Sequence, residues 1–449
     1  MKTGNSYSDI LKMALPIFLG MLANTLVTIV DTAFMGRVGT PEQSAVGYAF
    51  MFFLVPATIS MGFSVGIQIL VARRNGEGFF SQSGVILRHG LIFLFLWAIL
   101  TVAFVLFLSD SFFRLVLTSD SLRVLVVEYL KARTPGMLFS IMGFGFISYF
   151  IGLGNTYPIT LSAILGGIVN IVFDYLLIFG KCGFPELGVR GAAYASALAE
   201  CVTFIAYALF AYVILNPEKY GMRRFTFPQL DLFIQIIKLS GPLVIQHFIS
   251  IAGWFLFFTL IESTGERNLG MSIIIRSLYS LLIMPILAYG SATSSMVSNL
   301  IGQGRKEDVY GLVKKILKMS VGTLMFLSVF LLLFLKPGLM LFTEDRSLAE
   351  EASRTGWILA AALVMMAFSY VIFSVISGTG KTMASLMVEA SGLAIYIGYT
   401  FMVTVFYPQD ITGIWFSEVV YMFFWGSFSV IYLWKWDRVL PGNFFFSPK

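Results

Sequence analysis

The sequence predicts an all-α integral membrane protein: twelve transmembrane helices in two parallel six-helix repeats, forming a two-lobed, V-shaped bundle with a central cavity. Three observations predict it. Charged residues make up only 12% of the 449, against 58% hydrophobic, roughly half the charge share of a soluble domain. The apolar residues fall in blocks of about 23 to 31, enough for helices to cross a hydrocarbon core of about 30 Å. In lipid the backbone must satisfy its own polar groups, which makes such blocks helices. The third observation is a repeat at one fixed offset.

The blocks run 10–36, 44–72, 86–108, 124–151, 158–180 and 190–215, then 236–261, 269–299, 311–335, 350–376, 383–406 and 411–435. The first begins at Ile10, is too long for a signal-peptide core and lacks a cleavage pattern. Arg73 and Arg74 close the second, and Arg88 lies near the start of the third. The most polar interior connection, Asn216 to Phe233, falls mid-chain and divides the protein into an N-terminal lobe (1–218), a linker (219–235) and a C-terminal lobe (236–449).

Orientation follows from Lys and Arg, which collect on the cytoplasmic side. With the N-terminus inside, the inner segments hold Lys2, Lys12, Arg73, Arg74, Arg88, Lys219, Arg223, Arg224 and Lys238. They also hold Arg305, Lys306, Lys314, Lys315, Lys318, Lys381, Lys435, Arg438 and Lys449. Both termini are therefore expected in the cytoplasm, in a cell (inner, cytoplasmic) membrane. The net charge of +6 is spread along these short loops and does not indicate a nucleic-acid partner. Cys182 and Cys201 form neither a disulfide framework nor a metal-ligand spacing.

The repeat has an offset of 226 residues. Pro16 recurs as Pro242, Gly39 as Gly265, and Val71, Gly76 and Gly78 as Val297, Gly302 and Gly304. Ser148, Gly152, Gly154, Thr156 and Gly166 recur as Ser374, Gly378, Gly380, Thr382 and Gly392. The offset spans six helices, an even number, so the copies run parallel and are related by an axis along the membrane normal.

With these motifs the chain resembles the multidrug and toxic compound extrusion (MATE) family over essentially its whole length. The resemblance is carried by Leu15-Pro16, Val30-Asp31-Thr32, Met35 to Gly39, Val71 to Gly78 with Gly302-Gln303-Gly304, Gly152 to Thr156, and Asn170 with Asp174. It implies export of small, often cationic organic compounds in exchange for protons or sodium, without a cofactor, by a monomer embedded in the bilayer.

Acids within the spans are costly and seldom incidental. Asp31, Asp174, Glu200, Glu389 and Glu418 are such acids. Asn24, Thr28 and Asp31 fall at i, i+4 and i+7, one polar stripe of the first span. Asn170 stands one turn before Asp174. Two carboxylates, an amide and a hydroxyl could hold sodium by the oxygen-ligand logic of hard cations, or two close carboxylates could share one proton. The resemblance makes Asp31, Asn170 and Asp174 a cation site and puts Ser196 at the position of a family threonine. It also makes Pro16 the point where the first helix kinks.

The second lobe departs from this pattern. At the 226 offset Asp31 maps to Phe257, Asn170 to Tyr396 and Asp174 to Thr400, and Ser250 stands where many members carry an acid. Gln246, His247, Arg276 and Glu389 are the remaining cavity candidates there. Arg276 and Glu389 are expected to form an ion pair, and Arg276 to be the only basic residue deep within a helix.

Other classes find little support. No Gly-rich phosphate loop indicates an ATPase, and no clustered acids or His–Asp pair indicate an intramembrane enzyme. A flippase for lipid-linked oligosaccharide or cell-wall precursors is the alternative, and would call for a cavity rich in Arg and Lys.

Overall fold

The computed structural model describes residues 6–223, 227–408 and 410–439, with side chains as far as Lys435. Lys2, Arg224, Lys449 and the Arg438 side chain, invoked for orientation, lie outside the described residues, as do residues 224–226 of the expected linker.

Helices account for nearly all of it. In the first half they are α1 (Tyr7–Val38), α2 (Thr40–Gly76), α3 (Phe80–Val116), α4 (Asp120–Leu153), α5 (Tyr157–Ile178) and α6 (Val189–Leu209), the last ending in a π-turn at Phe210–Ile214. In the second half they are α7 (Leu230–Glu262), α8 (Glu266–Leu282), α9 (Met284–Gly302), α10 (Asp308–Met340), α11 (Arg346–Ala352), α12 (Gly356–Thr379), α13 (Thr382–Phe406) and α14 (Ile411–Val439). Among the described residues eleven helices or helix runs are long and apolar enough to cross a membrane, and α8 with α9 supplies a twelfth as a bent pair. Two spans thus differ from the single runs the sequence predicts. The eighth breaks at Ile283 by 45°, where Pro285 in the first turn of α9 cannot donate a helical hydrogen bond. The tenth opens with the short α11, capped by the Asp345 side chain.

The chain divides into two compact units. One is Pro16–Val244; the other joins the residues before Pro16 to those from Ile245 onward. The division falls inside α1 and α7, next to Pro16 and Pro242, rather than in the mid-chain linker. The described residues of that linker are tied to the start of α3: Arg88 Nη1 donates to the carbonyls of Gly221 and Met222 at 3.0 and 3.2 Å. His89 Nε2 accepts from the Gln229 N–H at 2.8 Å.

The 226-residue repeat is a repeat of packing. A Cβ on Gly152 would come within 2.8 Å of both the Gln68 carbonyl and Val71, and one on Gly378 within 2.6 Å of the Ser294 carbonyl and 3.0 Å of Val297. Each contact is the other's image at the same offset. Gly154 and Gly380 end α4 and α12 in the left-handed region, at φ 71° and 86°, which glycine adopts without strain.

Candidate functional site

In the unit Pro16–Val244, α1, α2, α4, α5 and α6 enclose a cavity of about 420 Å³. Asn24, Thr28 and Asp31 line it from α1, Asn170 from α5 and Ser196 from α6. The i, i+4, i+7 stripe read from the sequence therefore faces one space. Asp174 is fully buried beside it, and its carboxyl group and that of Asp31 lie within hydrogen-bond reach of each other. Such a contact needs one proton between them, because an ionised carboxylate only accepts. Asn170 Nδ2 donates to Ser196 Oγ at 3.5 Å, which brings all four predicted residues into one cluster.

Several oxygens of this cluster are buried and meet no donor group of the protein: Asp31 Oδ1, Asn170 Oδ1 and both carboxylate oxygens of Asp174. Buried acceptors of this kind are costly unless something fills them. The donor set suits either a shared proton or a small hard cation held by oxygen. Among the described residues no group of three or more His, Cys, Asp or Glu side chains could hold a metal ion; the oxygens here come from two carboxylates, one amide and one hydroxyl.

Sequence reasoning missed Arg133. It lies well inside α4 and lines the same cavity, so Arg276 is not the only basic residue deep within a helix. Arg133 Nη2 donates to Glu200 Oε1 at 2.7 Å and Nη1 to the Tyr129 hydroxyl at 2.9 Å. Its guanidinium sits within electrostatic range of both Asp31 and Asp174. The signal was present: an arginine well inside an apolar span requires a buried acid, and Glu200 is the acid that α6 supplies. With one proton shared by the aspartates and the Arg133–Glu200 pair neutral, the cluster keeps one net negative charge.

At Pro16 α1 continues as one helix. The Pro16 carbonyl accepts from Thr160 Oγ1 at 2.6 Å, which ties α1 to α5 at the proline.

The other predicted cavity residues belong to the second unit and do not line this cavity. The expected Arg276–Glu389 ion pair does not form. Arg276 instead lies over the rings of Trp254 and Phe258, each 4.9 Å away. Glu389 accepts from Ser250 Oγ and the Tyr421 hydroxyl. Hydroxyls on α7 and α14 thus meet the carboxylate, while aromatic faces take the guanidinium. Gln246 is buried with its Oε1 unpartnered, and His247 is half-buried. Where the first unit sets Asp31 near Asn170, the second stacks Phe257 on Tyr396 at 5.4 Å, and Thr400 Oγ1 turns back to its own helix.

The MatE family model matches this chain twice, over residues 16–176 and 242–402. The second match begins and ends 226 residues after the first, on the repeat already described. The chain belongs to the MATE family. Among relatives of this MATE chain, the probable multidrug resistance protein NorM of Thermotoga maritima is 25% identical, covering 96% of this chain and 93% of the relative. A variant of the Vibrio cholerae MATE transporter shares the fold at a TM-score of 0.87, with 18% identity and 97% of each chain covered. So does a MOP superfamily transporter from Pyrococcus furiosus, at 0.85, with 21% identity over 97% and 96% of the two chains. The binding pocket of that protein has reversed polarity, which suggests a different function for it; fold alone does not choose a cargo.

Proposed function

We propose that this MATE protein is a secondary active antiporter, a multidrug exporter of small and often cationic organic compounds driven by entry of protons or sodium. Asp31, Asn170, Asp174 and Ser196 hold the coupling ion, and Asn24 and Thr28 face the cargo. The observation that carries the reading is the acidic pair set against a cavity of about 420 Å³, within the usual range of about 300–1,000 Å³ for small-molecule sites. The chain works as a monomer in the cytoplasmic membrane with both termini in the cytoplasm, as the Lys and Arg distribution favours.

The coupling follows from charge. An empty cluster carries surplus negative charge in a low-dielectric site, which disfavours closing it off from water. A proton shared by the aspartates, or a sodium ion among the partnerless oxygens, halves the surplus charge, lowers that penalty and favours the closed arrangement. A cationic cargo does the same from the cavity side, so ion and cargo compete for one state. Pro16, which lacks the helical N–H, is where α1 bends as occupancy changes.

The flippase alternative has one observation in its favour, the arginine in the cavity. Arg133 is already neutralised by Glu200, leaving no surplus positive charge for a pyrophosphate. The test is efflux of a fluorescent organic cation from everted vesicles, with proton and sodium gradients imposed separately. Asp31→Asn should abolish gradient-driven efflux while the protein still reaches the membrane. Unimpaired efflux in that variant refutes the site; binding of a lipid-linked pyrophosphate without cation efflux selects the flippase.

A further inference from the structure

We propose that Glu389, held by Ser250 and Tyr421 from two neighbouring helices, is a second proton-binding site, housed in the C-terminal unit and distinct from the Asp31–Asp174 pair. The proposal rests on and deepens the reading of an ion-driven exporter by adding a group that takes up and releases a single proton.

Glu389 is 2% exposed. Its Oε1 faces Ser250 Oγ at 2.5 Å and the Tyr421 hydroxyl at 2.9 Å, while Oε2 is buried without a partner. No cation pairs with it among the described residues: Tyr370 on α12 and Tyr421 on α14 are the titratable groups facing it. On α7, Ser250 stands beside Gln246 and His247, and Glu418 on α14 is held separately by the Tyr396 hydroxyl at 2.8 Å. A carboxylate this deep with no counter-charge is expensive, and a proton removes the cost.

Hydrogen counting shows what the proton does. Ser250 Oγ lies 2.9 Å from the Gln246 carbonyl as well as 2.5 Å from Glu389, yet a hydroxyl has one hydrogen. When Glu389 is ionised, that hydrogen goes to the carboxylate in a short charge-assisted bond. When Glu389 is protonated, its own O–H can donate to Ser250, whose hydrogen is then free for the Gln246 carbonyl. Serine bonding to the i−4 carbonyl bends helices, and this carbonyl lies one turn past Pro242, where α7 already lacks a helical donor. Proton occupancy is thereby passed to the α7 backbone.

The site is not the repeat image of the first. Ser250 answers to Asn24 at the 226 offset, and the positions answering to Asp31 and Asn170 are filled by the Phe257–Tyr396 stack.

The test is infrared difference spectroscopy of the purified full-length protein in lipid nanodiscs, between acidic and alkaline buffer, following the carboxylic-acid C=O stretch. Glu389→Gln keeps an oxygen to accept both hydroxyls, and should remove one component of the wild-type acid-minus-alkaline band. Ser250→Ala deletes a donor to the ionised form, so that component should persist with its half-point moved to higher pH by about one unit. A Glu389→Gln spectrum identical to wild type, or a Glu389 component unchanged between the two buffers, overturns the proposal. Asp31→Asn, recorded alongside, reports on the first unit. Loss of its component with none for Glu389 sinks only this inference, and the reverse sinks only the shared-proton form of the earlier site.

Discussion

Breaking the Arg133–Glu200 pair tests whether the cavity's charge is balanced as described. The two groups approach to 2.7 Å with side chains 19% and 18% exposed. At an effective dielectric of about 20 their attraction is about 6 kcal/mol, most of which desolvation takes back. Removing one partner of a fully buried pair costs about 3–5 kcal/mol; the residual exposure lowers the expectation to about 2–3 kcal/mol. Glu200→Gln and Arg133→Gln should each destabilise by that amount, whereas the double variant should lose much less than their sum. The assay is equilibrium unfolding in mixed micelles, analysed as a double-mutant cycle. Losses additive within about 0.5 kcal/mol refute the pairing. The same cycle has a functional arm. In Glu200→Gln the released guanidinium is free to neutralise Asp31 and Asp174, so cation binding should fall, and adding Arg133→Gln should restore it.

Further outcomes follow from other contacts. Gly152→Val and Gly378→Val should destabilise in parallel by about 1–3 kcal/mol each or more, because each new side chain meets a backbone carbonyl under 3 Å away; the mixed-micelle assay reads both, and a large effect at one position alone would deny the shared packing. Arg88→Ala deletes the two bonds to the linker carbonyls, and faster proteolysis between α6 and α7 should result. The Asp345 carboxyl is held below the usual carboxylate range by the backbone N–H of Leu348 first, and then by Ser347. Its capping of α11 is complete above the ordinary carboxylate range and is lost as pH falls through the lowered value. Amide exchange protection at Ser347 and Leu348 should drop a few-fold in Asp345→Ala, and likewise in the natural protein on strong acidification.

Much of the architecture was legible because lipid enforces it. Twelve apolar blocks could only be helices, and every expected span has its helix or bent helix pair. What composition could not disclose were the breaks. The turn at Ile283 depends on how Pro285 is accommodated, and α2, with Pro56 inside it, runs on unbroken. The site was legible where spacing on one helix sufficed: Asn24, Thr28 and Asp31 share a face by period alone, as do Asn170 and Asp174. Contacts between helices were not. Pairing Arg276 with Glu389 follows from charge alone, yet ring faces on α7 take the guanidinium. Arg133 went unpaired for want of the α4–α6 neighbourhood.

The two repeats illustrate how duplication uncouples packing from chemistry. Gly152 and Gly378 keep the same close approach, since losing it would push neighbouring helices apart in either copy. The polar positions carry no such constraint once one copy of the paired-aspartate site suffices. In one copy Asp31 and Asn170 keep their oxygens and leave several unfilled; in the other Phe257 and Tyr396 close the same space with stacked rings. A cavity lined by unfilled oxygens can change its charge by binding something, while a stacked pair of rings cannot. Placing Asp at position 257 should therefore fail to create a copy of the first unit's site: it would bury a carboxylate against Tyr396 with no partner aspartate, and the variant should lose about 2–4 kcal/mol of stability without gaining ion binding. Stable folding of Phe257→Asp with added ion uptake would show that the second unit retains a latent copy of the first unit's site.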